Sequence, residues 1–365
     1  MAQVDYKSTI INDLNVILEK EKQNKNVFKI RAYQKVIPQL VALPQIKTLE
    51  DIKNVEGVGK GIKDRIKEIL ETGELHSAEE IKKDPKTVVI KQFMNIYGIG
   101  PVKAKNLYET NNITSISELK EKAGKLLNDK QKIGLKYYED LQERIPRKEM
   151  LYHEKKIIKI VATISENKFV ATIVGSFRRE KPDSGDIDVL LSYEDPNLSI
   201  KEAEDIFQKI INQLLKDNYI TDILALGTKK CMAICRKENE KARRLDLLLT
   251  PPEEYPFAIL YFTGSDKFNI QMRKNALKMG YSLSEHGIIP ASEHGIIPAK
   301  EHGIIPAKEH GLKPLQPSEQ GIIPAKEHGL KPLQPSEHGI IPDNLKTEKD
   351  IFKFLNMKYL EPKDR

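Results

Sequence analysis

Two stretches of the chain hold side chains whose types and spacing could do chemistry. Ser184-Gly185-Asp186-Ile187-Asp188-Val189-Leu190-Leu191 places two carboxylates two residues apart in an apolar run, and Arg244-Leu245-Asp246-Leu247-Leu248 places a third in another. On a strand, residues two apart point the same way, so Asp186 and Asp188 face one side while Ile187 and Val189 face a core. Carboxylates a few ångströms apart repel each other and resist ionisation unless a cation lies between them. Three of them on neighbouring strands suit a pair of Mg²⁺ ions, one activating an attacking hydroxyl and the other gripping a triphosphate and its leaving group. Upstream, Gly175-Ser176-Phe177-Arg178-Arg179 forms a turn whose Ser176 and Arg179 would contact that triphosphate. A lone D-x-D is usually a solvated strand edge. The G-S turn and the third apolar-flanked aspartate turn the reading to nucleotidyl transfer.

The elements that must position these groups follow from periodicity. Val170–Val174, Ile187–Leu191, Met232–Ile234 and Leu245–Leu249 are short runs rich in branched residues and read as strands of one sheet. Ile200–Leu215 and Phe268–Met279 read as helices between and after them, and Thr347–Arg365 as a closing amphipathic helix. The front of the chain is helical throughout, with Ile10, Leu14, Ile17 and Leu18 at helical spacing, and again Ile62, Ile66, Ile69 and Leu70. Within it, Val55-Glu56-Gly57-Val58-Gly59 and Ile96-Tyr97-Gly98-Ile99-Gly100 sit between helical stretches and are followed by Lys60 and Lys63, and by Lys103 and Lys105. Such a turn starts a helix with exposed backbone N–H groups at the positive end of its dipole, which can hold a phosphate oxygen. One G-x-G turn is weak. Two with matching flanks point to helix-hairpin-helix contacts with a nucleic-acid backbone, which position a duplex without reading its sequence.

Composition narrows the setting. Among 365 residues, 60 are basic and 53 acidic, a net charge of +7 that permits a nucleic-acid partner without demanding one. No apolar run approaches the roughly 20 residues of a membrane span, and Met1–Ile10 lacks a signal-peptide core. Cys231 and Cys235 are the only cysteines, too few for a disulfide framework, so a reducing intracellular setting is expected, and C-x3-C without neighbouring ligands is poor zinc spacing. From Glu285 to Pro342 a unit E-H-G-I-I-P-A-[SK] recurs, mixed with E-H-G-L-K-P-L-Q-P-S, in seven copies holding six of the eight histidines. Its Pro and Gly content forbids helix and interrupts any ladder. The histidines lack acidic or cysteine partners at ligand spacing, so a duplicated block explains them better than a metal site.

These motifs together resemble the family X DNA polymerases, most of all their beta branch. The resemblance rests on G-S-F-R-R, S-G-D-I-D-V-L-L, R-R-L-D and especially Tyr261-Phe262-Thr263-Gly264-Ser265-Asp266. Ile133–Tyr138 (I-G-L-K-Y-Y), Arg144–Arg147 (R-I-P-R), E-K-D-I-F from Glu348 and E-P-K-D-R from Glu361 extend it over nearly the whole chain. It implies an α+β multidomain fold. Residues 1–86 would be a helical, lyase-like DNA-binding domain with the first hairpin, and 87–147 a second helical subdomain with the other. Residues 148–260 would be a nucleotidyltransferase palm with a mixed sheet, and 261–365 an α/β nucleotide-selecting subdomain carrying the repeats as an insertion at about 291–342. The implied activity is template-dependent gap filling in DNA repair, with two Mg²⁺ (Mn²⁺ substituting), dNTPs, and gapped or nicked duplex DNA. A monomer with no membrane partner is expected, and a repair ligase is a further implied partner.

Position by position, the resemblance implies metal binding and catalysis by Asp186, Asp188 and Asp246, with Asp246 beside the primer 3′-hydroxyl. It implies nucleotide contacts from Arg144, Ser176, Arg179, Gly185, Tyr261, Phe262, Gly264, Asp266 and Asn269. DNA contacts would come from Gly57, Gly59, Lys60, Gly98, Gly100, Lys103, Lys230, Arg244 and Arg273. Backbone carbonyls of Lys53, Val55 and Val58, and of Met94, Ile96 and Ile99, would each hold a Na⁺ or K⁺ ion. The departures are as informative. Where the family forms a Schiff base on lysine this chain has Arg65, and a guanidinium cannot form that imine. Gly61, Ser77 and Phe28 replace other groups of that site, while Lys29 and Tyr33 keep theirs, so 5′-deoxyribose phosphate lyase activity is expected to be weak or absent, with Lys29 the best substitute. Leu248 replaces an arginine that acts in open-to-closed switching, and Ile270 a lysine stacked beneath the template base. Glu285–Pro290 falls where the family has a Glu-Tyr strand of the nucleotide-selecting subdomain, with Glu285 in its structural role and His286 in place of the tyrosine. Two alternatives stay open: a non-catalytic scaffold on gapped DNA, and a nucleotidyltransferase acting on another acceptor. The short stretch from Arg236 to Arg243 leaves little room for the loop of template-independent relatives, and no protein-interaction domain is expected before Val4. Abundant Ile, Lys and Asn fit an A+T-rich genome, viral ones included, so the expected compartment is the nucleus, or the cytoplasm for a viral protein.

Overall fold

The computed structural model describes residues 4–24, 26–193, 195, 198–291 and 345–365, so the repeats after the first copy lie outside the described residues. The chain divides into two compact units at Lys132/Ile133.

The first unit is helical. Helices α1 (Lys7–Gln23), α2 (Val27–Ala42), α3 (Lys60–Thr72) and α4 (His76–Lys83) enclose a core of Ile10, Leu14, Tyr33, Val36, Leu40, Ile66, Ile69 and Leu75. Helices α5 (Pro85–Met94), α6 (Pro101–Glu109) and α7 (Ile116–Leu126) follow, and α8 (Asp129–Lys136) crosses the boundary. Starts are chemically marked. Asp84 accepts from the Thr87 N–H at 2.9 Å ahead of Pro85, and Ser115 accepts from the Glu118 N–H at 3.1 Å.

The second unit holds the sheet. After α9 (Tyr138–Gln142), strand β1 (Ile145–Pro146) pairs with β3 (Asp183–Ser184). Helix α10 (Arg147–Ile164), strand β2 (Phe169–Ile173), the short α11 (Gly175–Arg178), β4 (Ile187–Tyr193) and α12 (Ile200–Lys216) precede three strands. These are β5 (Ile220–Leu226), β6 (Lys230–Arg236) and β7 (Ala242–Leu249). The five-stranded sheet has the order β2-β4-β7-β6-β5, and only β4 and β7 run parallel. One face is buried beneath α10 and α12, where Ile157, Phe207, Ile210 and Leu214 meet Val189, Leu191, Cys231, Ala233, Leu245 and Leu247. Along β7 burial alternates, so Leu245, Leu247 and Leu249 point to that core while Arg244, Asp246 and Leu248 point away.

Helices α13 (Tyr255–Thr263) and α14 (Asp266–Lys278), the hairpin β8 (Tyr281–Leu283) with β9 (Ile288–Pro290), and α15 (Glu348–Phe354) complete the unit around Phe257, Phe268, Met272, Ile351 and Phe352. Two expectations need correction, and one strand was not expected at all. The helix expected over Thr347–Arg365 covers only Glu348–Phe354: Asn356 takes a left-handed conformation at φ 52°, and Pro362 permits no more than a short 3-10 turn. Strand β5 was not anticipated, because register shifts between Ile220/Asp222 and between Ile223/Ala225 break its alternation. Glu285 and His286, expected on a strand, lie in the turn between β8 and β9, where Ser284 N–H bonds the Gly287 carbonyl at 2.9 Å.

Phe207 is fully buried behind the sheet. Phe207→Ala is expected to destabilise this unit by about 3–5 kcal/mol, the usual range for an aromatic cavity. Urea denaturation followed by tyrosine fluorescence checks it, and a loss below about 1 kcal/mol would contradict this packing.

Candidate active site

The parallel pairing of β4 with β7 sets Asp188 opposite Asp246, both on the sheet face away from α10 and α12. Asp186 sits one residue before β4 begins, in the turn after Gly185, rather than on the strand itself. All three carboxylates nonetheless gather. Burial, then the charges of Asp186 and Asp246, push the Asp188 carboxyl well above the usual carboxylate range. Burial also raises Asp246, whose side chain is 13% exposed, against the opposing pull of Arg244. Arg244, expected on DNA, lies inside this cluster: it hydrogen-bonds Asp186 and stands 3.7 Å from Asp246.

The donors fit a hard divalent cation. The Asp246 Oδ1 atom is buried with no hydrogen-bond partner, and Asp188 resists ionisation because it is buried beside two other carboxylates whose charge Arg244 only partly offsets. Among the described residues, however, no three acidic, histidine or cysteine side chains are already drawn together as a cage, because Asp186 is turned to Arg244. Arg244 holds Asp186 through Oδ2, so an ion bound by Asp186 would compete with or share that guanidinium.

Gly175 opens the floor of the site. Its φ is 61°, a left-handed value that glycine adopts without cost, and a Cβ there would lie 2.9 Å from Asp188 Oδ2. The Val174 N–H also bonds the Asp188 carbonyl at 2.9 Å, so the turn is stitched to the strand it serves. The residues expected on the triphosphate cluster around this turn. Ser176 Oγ donates to Ser184 Oγ at 2.9 Å. Arg144 Nε donates to Asp183 Oδ1 at 2.7 Å beside Gly185, where a Cβ would lie 3.1 Å from the Arg144 guanidinium. Arg179 donates to the Thr263 carbonyl and lies within electrostatic reach of Asp266. Gly264 follows at φ 68°, 3.1 Å from Arg179 measured from its would-be Cβ. The partners Asp183, Ser184 and Thr263 were missed from the sequence. Asp183 and Ser184 adjoin the D-x-D run, which is the one signal that could have found them.

The expected sugar and base contacts share the next helices. Tyr261 and Phe262 lie edge to face at 5.2 Å, and Asn269 Nδ2 donates to the Tyr261 carbonyl at 2.8 Å. Arg273 lines a small cleft with Tyr261, Asn269 and Met272. Lys230, on β6, sits among Asp246, Arg244, Asp188 and Glu285, and burial lowers its pKa. His286 accompanies this end of the unit: its Nδ1 contacts Glu254 Oε2 at 2.7 Å, and that bond, against burial, raises its pKa.

In the first unit the two glycine turns have the same geometry. Gly57 and Gly98 take φ of 86° and 81°, and Gly59 and Gly100 are extended residues heading α3 and α6. Lys60 and Lys103 open those helices. The expected ion-binding carbonyls of Lys53, Val55 and Val58 lie on the first turn and those of Met94, Ile96 and Ile99 on the second, where the Ile96 carbonyl already accepts the Ile99 N–H at 3.0 Å. Arg65 donates to the Gly61 carbonyl at 2.9 Å, and Lys29 donates to Glu21 at 2.8 Å. Both stand within electrostatic reach of Tyr33.

Four family descriptions match consecutive stretches of the chain. A helix-hairpin-helix domain covers residues 6–75, the fingers domain of DNA polymerase lambda 91–142, the DNA polymerase beta palm 144–252 and the DNA polymerase beta thumb 258–365. The chain is similar to DNA polymerase lambda of Rattus norvegicus, 30% identical over 295 residues that cover 79% of this chain and 50% of the other. It is 29% identical to DNA polymerase lambda of Arabidopsis thaliana over 276 residues, 72% of this chain and 50% of that one. Against the DNA nucleotidylexotransferase of Xenopus laevis identity is 28% over 276 residues, 67% and 54% of the two. The chain thus spans about half the length of these curated relatives.

Asp188→Asn removes the charge that the cluster tolerates least. A carboxyl raised in the folded state binds its proton more tightly there than in the unfolded chain, so wild-type stability rises as pH falls through the raised range. Without divalent cations, the Asn variant should melt about 2–4 °C above wild type near pH 7, and the difference should shrink toward pH 5. Calorimetry across that range checks it. A variant that melts lower at every pH contradicts the account.

Proposed function

We propose, on the premise that this chain carries the domain set of the family X DNA polymerases, that it is a template-dependent DNA polymerase that fills short gaps during DNA repair. The observation that carries this is Asp188 facing Asp246 on one sheet face, beside Asp186 and the Gly175 turn, taken together with two matched glycine turns in the helical unit.

Asp186, Asp188 and Asp246 would hold two Mg²⁺ ions, which when bound supply Lewis-acid activation of the primer hydroxyl and neutralise the triphosphate. The chain's own groups do the rest. Asp246, whose Oδ1 is buried and without a hydrogen-bond partner, would accept the proton of the primer 3′-hydroxyl. Ser176 and Arg179 orient the triphosphate from the turn, and Arg144 joins them by leaving Asp183. The 3′-oxygen then bonds to the α-phosphorus and pyrophosphate leaves. Tyr261 and Phe262 pack against the sugar, and Asn269 and Arg273 stand beside the incoming base and the template. The glycine turns grip the DNA backbone through the N–H groups heading α3 and α6, with Na⁺ or K⁺ on the turn carbonyls. The protein acts as a monomer, with a ligase sealing its product, in the nucleus or, for a virus, the cytoplasm.

Primer extension on a gapped duplex should fall by on the order of 10³-fold or more in Asp246→Ala, the scale of removing one member of a catalytic unit. Extension at the wild-type rate would refute the mechanism. The lyase step is expected to be weak or absent. Arg65 cannot form an imine, and Lys29 would have to leave Glu21 and lose a proton before attacking a carbonyl. Borohydride trapping on a gapped duplex bearing a 5′-deoxyribose phosphate should give little or no covalent adduct while gap filling proceeds. A near-stoichiometric adduct would contradict this.

A further inference from the structure

We infer that Glu348 is a positioning residue for nucleotide binding, holding the turn that presents Ser176 and Arg179 against the end of the helix that presents Tyr261 and Phe262. This deepens the polymerase reading and rests on it. Glu348 is the first residue of α15, seventy residues past α14 in sequence, yet its carboxylate reaches the palm. Oε1 and Oε2 accept from the two terminal nitrogens of Arg178 at 3.0 and 2.7 Å, a bidentate pair. Arg178 also donates to the Thr263 hydroxyl at 2.6 Å, while its neighbour Arg179 donates to the Thr263 carbonyl. Arg178, the last residue of α11, and Arg179 just after it therefore grip one fully buried threonine, the residue before Gly264.

The carboxylate is itself anchored. Arg365 donates to Oε1 at 2.6 Å from a side chain with no exposed surface, packed over the rings of Phe268, Phe352 and Tyr359. With Arg365 locked, Glu348 cannot follow Arg178 if the α11 turn moves, so the ion pair sets where Arg179 points. Burial works to raise the Glu348 carboxyl, but the hydrogen bonds and charges of Arg178 and Arg365 hold it below the usual range. Such a buried triad contributes more to defining one geometry than to stability.

The test uses the full chain. Glu348→Gln is expected to raise KM for the incoming dNTP about tenfold, to weaken binding of a non-incorporable dNTP analogue to the complex with gapped DNA by the same factor, and to leave affinity for the gapped DNA itself unchanged. Glu348→Asp should recover part of the loss, and keeps the proposal testable if the Gln variant fails to fold. Adding Glu348→Gln to Arg178→Gln should cost no more than Arg178→Gln alone, since Glu348 acts through Arg178, which also holds the Thr263 hydroxyl. A lowered melting temperature with unmoved nucleotide affinity would overturn the positioning role, as would additive effects in the pair. Should wild type incorporate no nucleotide at all, the polymerase reading fails. Incorporation with an unmoved KM in Glu348→Gln refutes the positioning role alone.

Discussion

Mutual repulsion among carboxylates is the interaction on which the second unit turns. Pairing β4 with β7 in parallel sets Asp188 directly across from Asp246, and the turn before β4 brings Asp186 beside them. Like charges in a half-buried site cost free energy, and the fold carries that cost behind a full hydrophobic layer. Phe207, Ile210 and Leu214 back the same strands whose outer faces carry the acids. Arg244 lessens the repulsion without cancelling it, and Asp188 remains raised. A site so arranged gains on meeting a divalent cation, which is the electrostatic condition for tight metal binding.

The alternation of β7 explains how one strand serves both tasks. Arg243 turns inward and forms a bidentate pair with Glu149 of α10 at 2.7 and 2.9 Å, while Arg244, the next residue, turns outward to Asp186. Behind the sheet, His153 meets the Tyr219 hydroxyl at 2.7 Å, and burial lowers its pKa. Burial likewise pushes the Cys235 thiol up to about 12. Burial thus disfavours the charged forms of His153 and Cys235 behind the sheet, where the Arg243–Glu149 ion pair carries the charge. On the outer face, Ala258 and Ile259 of α13 cover Leu190 and Val174, closing the sheet beside the acids.

The sequence pointed to candidate chemistry more clearly than to the elements around it. D-x-D and the glycine turns are local patterns in which residue type and spacing alone suggest a role, whereas the Tyr261-Phe262 strip was legible only through the family resemblance. The paired hairpins were legible from spacing, since a left-handed glycine followed by an extended one can be read from G-x-G. What escaped depends on distant contacts. Asp183 and Thr263 look like ordinary surface residues until folding sets them against Arg144 and Arg179, 39 and 84 residues away in the chain. Glu348 lies 170 residues from Arg178, and no periodicity joins them. The bulged edge strand β5 and the early end of α15 were hidden because their backbone irregularities contradict the patterns by which strands and helices are recognised.

Metal occupancy of the acidic cluster is the claim from which the rest follows. Anomalous diffraction from a Mn²⁺-soaked crystal of the protein, with gapped DNA and a non-incorporable dNTP analogue, measures it directly. The account predicts two anomalous peaks among Asp186, Asp188 and Asp246. A complex with bound DNA and nucleotide but no peak at these carboxylates would contradict it.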